Sequence, residues 1–201
     1  MYIEIDKRSA YNETHMIKLL RTLHKKTQGR ASLSKALSLG ESTIRTMQKN
    51  LGPGHLKYIK STTRGETLTK KGKSLVETIN SSISYPADLD IKSFTFHDNN
   101  IGYRIRSKDI QKQITNVTQM RDTAIKMGAS GLILLTQEET LRVTGIDENS
   151  IDIPKEISNK MLPEKGDIII ITFADSKNAS EIAGLGIALD LIDFSLHAKK
   201  R

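Results

Sequence analysis

Between Gly40 and the break Gly52-Pro53-Gly54 lies a stretch in which hydroxyls and cations share one side of a helix: Ser42, Thr43, Arg45, Thr46 and Lys49. Ile44, Met47 and Leu51 recur at i, i+3 and i+7, giving the other side an apolar stripe that would hold the helix on its own core. Such a face can bind a polyanion. A guanidinium pairs two-pronged with guanine or phosphate, and hydroxyls reach phosphates or base edges. Arg45, Thr43 and Ser42 are the candidates for base contact. Lys49, with Lys25, Lys26 and Arg30 upstream, would neutralise phosphates, and Lys60 and Arg64 add charge from a hairpin downstream. A plain amphipathic helix with a solvated outer face carries the same pattern, so the neighbouring elements decide between the two readings.

Little else in the chain points to chemistry. The five histidines, His15, His24, His55, His97 and His197, include no pair four apart, and there is no cysteine, which predicts no metal site and no thiol nucleophile. Asp147, Glu148 and Asp152 fall in a polar loop and read as a solvated turn rather than an acid/base pair. No nucleophile elbow or phosphate-binding loop occurs. Asp175-Ser176-Lys177-Asn178 opens a helix after a buried strand, a place where backbone N–H groups receive anions. Gly184 and Gly186, however, fall inside that helix, so close helix packing is the expectation there. The sequence predicts no cofactor and no enzyme.

The elements around the basic face follow from spacing. Asn12 caps a helix with Met16, Ile17, Leu19, Leu20 and Leu23 on its apolar side, ended by Gly29-Arg30. A second helix is predicted over residues 34–39, a tight turn at Gly40, and a third helix over 41–50. Residues 56–60 and 66–69 read as strands joined by the turn Thr62-Thr63-Arg64-Gly65. Thr69 then caps a final helix with Leu75, Val76 and Ile79 buried. Helix, helix, helix, hairpin, helix is the order of a winged helix, whose second motif helix enters the major groove.

The charge distribution agrees. Of the formal net charge of +8, residues 1–80 carry 16 Lys and Arg against 6 Asp and Glu, while residues 81–201 carry 15 against 17. A basic half joined to a mildly acidic one predicts that only the first meets a polyanion. The stretch Leu37-Ser38-Leu39-Gly40-Glu41-Ser42-Thr43-Ile44-Arg45, with Ile59-Lys60-Ser61-Thr62-Thr63-Arg64-Gly65-Glu66-Thr67-Leu68-Thr69-Lys70-Lys71-Gly72, resembles archaeal winged-helix regulators. It is also similar to the winged-helix segment fused to the archaeal CTP-dependent riboflavin kinase. Leu68-Thr69-Lys70-Lys71-Gly72 resembles the wing-to-helix junction of the multiple-antibiotic-resistance-regulator type. One departure is Leu51-Gly52-Pro53-Gly54-His55-Leu56, where those proteins carry a different hinge. The resemblance covers residues 12–80 and implies double-stranded DNA as partner and a homodimer, with the first or last helix of the chain as interface.

Serine-rich residues 81–87, ending at Pro86-Ala87, read as a linker. Residues 88–201 read as α+β: paired strands over 90–96 and 101–106, a helix over 108–127 closed by Gly128, strands over 131–136 and 139–144, a helix over 154–161, a buried strand over 167–173 and a final helix over 178–196. This half is expected to sense a small-molecule effector or to mediate dimerisation. The fold class is thus α+β, an N-terminal winged helix-turn-helix domain followed by a C-terminal α+β domain. The function expected is that of a DNA-binding transcriptional regulator. The alternatives are a protein–protein module of the transcription or replication machinery and an enzyme carrying a winged helix. The first residues have no apolar h-region and the longest apolar run, 168–171, is strand-sized, which predicts a soluble, cytoplasmic protein without membrane contact.

Overall fold

The computed structural model describes residues 9–106, 114, 116–145 and 151–196. They form a mixed α+β structure with two antiparallel sheets among the described residues. The chain divides into two compact units, one reaching Ile79 and including Ser195 and Leu196, the other Asn80–Phe194.

In the first unit, α1 (Glu13–Lys25) starts at the predicted cap, where the His15 N–H donates to Asn12 Oδ1 at 3.2 Å. It stops four residues before Gly29. Lys26 is already extended, and Gln28 exchanges two backbone hydrogen bonds with Glu66, of 3.2 and 2.9 Å. The pull of that pairing ends the helix early. α2 (Arg30–Leu37) consequently begins ahead of residue 34, with Gly29 as its cap, and the Ser34 hydroxyl donates instead to the Leu39 carbonyl at 2.6 Å. The left-handed turn into α3 (Glu41–Leu51) is made by Ser38 (φ 53°), not Gly40, which is extended. Strand β1 (Ile59–Thr62) starts three residues later than the predicted 56–60, because the loop folds back through Lys57 N–H to Gly52 O (2.9 Å) and Tyr58 N–H to Leu51 O (2.8 Å), whereas β2 (Gly65–Leu68) lies one residue earlier than 66–69. α4 (Lys70–Ser82) is capped by Thr69, whose Oγ1 accepts the Gly72 N–H at 3.1 Å. Met16, Leu20, Leu33, Leu37, Ile44 and Met47 are fully enclosed, each stabilising the fold by about 1.5–3 kcal/mol.

The segment read as a linker is structured. α4 runs through it to Ser82, Ile83 bridges Ile105, and the Ser84 N–H donates to the Arg104 carbonyl at 2.8 Å. The second unit is a five-stranded sheet in the order β3 (Ala87–Leu89), β4 (Asn99–Ile105), β7 (Ile168–Ala174), β5 (Gly131–Gln137), β6 (Leu141–Val143). Where one long strand was predicted over 90–96, a three-residue strand gives way to α5 (Lys92–Thr95). Ile91 and Thr95, four apart, are both buried, and the Thr95 hydroxyl donates to Asn100 Oδ1 at 2.5 Å. A short apolar run fits either period, and tertiary contacts chose the helix.

α6 (Val117–Lys126) is capped by Asn116. Most of the predicted start of that helix, including Ile110, lies outside the described residues, as do Asp147, Glu148, His197 and the basic C-terminal residues. α7 (Lys155–Met161) packs with Ile91, Leu135, Ile169 and Ile171 on one face of the sheet. α8 (Lys177–Leu191) covers the other face and ends before residue 196, at Ile192. Burial pushes the Asp167 carboxyl above its ordinary value, opposed by the Glu164 N–H it accepts at 2.9 Å. Its carboxylate lies 3.6 Å from the equally enclosed Arg104 guanidinium.

Residues 182–189 of α8 are all buried, so this helix is a core element and not a free dimer face. A Cβ on Gly184 would stand 2.7 Å from Thr172 Oγ1 and 2.8 Å from the Tyr103 ring. Thr172 cannot yield, because it exchanges hydrogen bonds of 2.7 and 2.6 Å with Ser180. Gly184→Ala is expected to lower stability by about 1–3 kcal/mol through overpacking, more than its helix-propensity gain of about 1 kcal/mol. Urea unfolding would show this, and an unchanged midpoint would mean that α8 can shift.

Candidate nucleic-acid interface

The polar residues of α3 spread over one broad outer face, with the cations along the edge nearest the hairpin. Ser42 and Thr46 are exposed and four apart, with Thr43 half-buried beside them, and the Thr46 hydroxyl donates to the Ser42 carbonyl at 3.2 Å. Arg45, Gln48 and Lys49, at i, i+3 and i+4, turn instead toward the hairpin. There they line a groove of about 370 Å³ between α3 and the β1–β2 strands. Arg30, at the first position of α2, reaches the same groove, its Nε–H donating to Gln48 Oε1 at 3.3 Å.

The opposite wall comes from the hairpin and the loop before it. Side chains alternate along a strand, so Ile59 and Ser61 face the groove while Lys60 and Thr62 point to the other side. Glu66, opposite Ser61 in register, also lines the groove, and the Ser61 hydroxyl donates to its Oε1 at 2.8 Å. His55 enters from the Gly52-Pro53-Gly54 loop. The hairpin turn is two residues, Thr63 and Arg64, closed by the Thr62 hydroxyl donating to Gly65 O at 2.7 Å, which leaves Arg64 exposed at the tip.

Of the predicted residues, therefore, Arg30, Arg45 and Lys49 converge. Ser42, Thr43 and Thr46 do not line the groove although Ser42 and Thr46 adjoin its cations on α3, and Lys60 and Arg64 belong to the wing outside it. Sequence reasoning missed Gln48, His55, Ser61 and Glu66. The spacing Arg45, Gln48, Lys49 was the available signal for Gln48, whereas Glu66 is brought in by strand register alone.

In the second unit a smaller cavity of about 220 Å³ opens between α6 and α8. It has Asn116, Gln119 and Asp190 as polar lining and Met120, Ile187 and Leu191 as apolar lining. The start of α8, considered above as an anion site, is capped by its own Ser176, whose Oγ accepts the Ala179 N–H at 3.2 Å. Lys177 there pairs with Asp88 at 2.6 Å.

Residues 99–191 match a family described as a domain of unknown function (DUF4443). Over 91% of this chain and 94% of the other, the structure is similar to the hypothetical protein PH0730 from Pyrococcus horikoshii OT3, with a TM-score of 0.72 and 25% sequence identity. No curated protein matches the sequence. The two matches fit an archaeal protein, and neither description carries an activity, so a functional reading rests on geometry.

The close approach of the wing to Gln28 and Gly29 requires glycine at one position. Gly65 has φ +116°, and a Cβ there would lie 2.6 Å from the Gln28 carbonyl. Gly65→Ala is expected to cost about 1–3 kcal/mol and to shift amide resonances at residues 28–29 and 62–66 together. Shifts confined to 62–66 would show that the wing moves without its neighbour.

Proposed function

We propose that the chain is a DNA-binding transcriptional regulator whose first unit docks α3 in the major groove of a duplex. The observation that carries the reading is the joint placement of an exposed hydroxyl face on α3, a cation-lined groove beside it and an arginine-tipped wing. A major groove about 12 Å wide admits one helix, and a narrow minor groove attracts an exposed arginine such as Arg64. Ser42, Thr43 and Thr46 face the bases on this reading, and the cations supply most of the affinity. The chain acts as a binding protein rather than an enzyme, and the cavity between α6 and α8 supports a small-molecule effector for the second unit. Two-fold doubling of the contact in a homodimer belongs to the same proposal.

The test is retention of a random duplex library by the purified chain across a salt series, with sequencing of the retained fraction. Binding is expected to weaken steeply with salt, with a logarithmic slope of about −0.9 per neutralised phosphate, and to enrich a site with two-fold symmetry. Absence of binding at low salt would overturn the reading in favour of a protein-binding winged helix. Thr43→Ala should reduce the preference for the enriched site by about 1–3 kcal/mol per disturbed base contact while leaving random-duplex affinity in place.

A further inference from the structure

We infer that the groove between α3 and the wing seats a backbone phosphate, so that Arg45 supplies charge rather than base discrimination and Glu66 holds the affinity down. This rests on the DNA reading above and assigns roles within the same surface.

Three lines of geometry lead to it. Base edges lie at the bottom of a groove roughly 8.5 Å deep, so a side chain must project outward to read them. Arg45 and Lys49 instead line a concavity, and the feature of a duplex that fits a concavity is the convex sugar-phosphate ridge. Secondly, the lining holds three basic side chains, Arg30, Arg45 and Lys49, against the single carboxylate of Glu66, with His55 beside them. Its net charge suits an anion. Thirdly, Arg30 is oriented by Gln48. With Nε committed to the Gln48 carbonyl oxygen, its Nη groups are the donors left for a phosphate oxygen, the planar fork that guanidinium offers such anions.

Glu66 is the unexpected member. Its backbone is tied to Gln28 on one side and Ser61 lies opposite it in the hairpin, so the carboxylate is held at the groove. A carboxylate beside three cations weakens the field that a phosphate meets, on every sequence alike. The consequence is lower non-specific affinity, with the hydroxyl face of α3 left to discriminate.

The experiment compares the unsubstituted 201-residue chain with R45A, E66Q and T43A. Each is titrated against the duplex enriched from the random library and against a shuffled duplex of equal length, over a salt series. Arg45 is exposed, and glutamine at position 66 keeps the acceptor for the Ser61 hydroxyl, so folding is expected to hold; circular dichroism checks it. R45A should weaken both duplexes equally, by about tenfold, and reduce the salt slope by about 0.9, the value of one phosphate. E66Q should tighten both by about two- to fivefold with their ratio unchanged. T43A should change the ratio. If R45A weakens the enriched duplex while sparing the shuffled one, Arg45 reads a base and the inference is wrong although the DNA reading stands. Unchanged affinities in E66Q with wild-type binding intact overturn it equally. A wild-type chain that binds neither duplex overturns both the inference and the reading beneath it.

Discussion

Two backbone hydrogen bonds between Gln28 and Glu66 organise the first unit. They stop α1 at Lys25, start α2 at Arg30 and anchor β2, so one pairing sets where a cation, a carboxylate and the wing stand relative to α3. The pairing also explains why the hairpin must carry glycine at its closing position. Any side chain at Gly65 would enter the space of the Gln28 and Gly29 backbone. Local propensity alone would have continued α1 and delayed α2; a non-local pair of hydrogen bonds overrode both.

The second unit depends on a different constraint, the close contact of an almost entirely buried helix with a sheet. α8 lays Gly184 on Tyr103 and Thr172, and the reciprocal Ser180–Thr172 hydrogen bonds satisfy the polar atoms that this approach buries. The opposite face is apolar, with α7 supplying Ile157 and Met161, except where Arg104 meets Asp167 and the carbonyl of Leu162. A buried ion pair of this kind is weak support for stability, but removing one partner leaves an uncompensated charge.

Legibility varied with the range of the determining interaction. Helices with full apolar stripes, such as Glu13–Lys25 and Glu41–Leu51, and the buried strand Ile168–Ala174 were readable because each carries its own period. Their ends were less so: Lys26, Ser38 and Ile192 close helices for reasons set by neighbours distant in sequence or by a backbone conformation. The serine-rich stretch near residues 81–87 misled because composition suggested slack, whereas Ile83 and Ser84 join the edge of β4. At the candidate interface, residue types on α3 were visible, but which of them line a groove depended on where the wing lies. Glu66 could not be singled out from one sequence, since its place comes from pairing with Ser61 and Gln28.

The two-residue turn at Thr63 and Arg64 has an energetic meaning of its own. Fixing a residue's backbone costs about 1–2 kcal/mol of conformational entropy, and a long wing that ordered itself on a partner would incur that cost at the moment of binding. Here the Thr62 hydroxyl already closes the turn onto Gly65, so the ordering has taken place during folding. Arg64 is left with only its side-chain torsions to lose. A contact made by such a tip is preorganised, and the interaction energy it contributes is offset little by ordering.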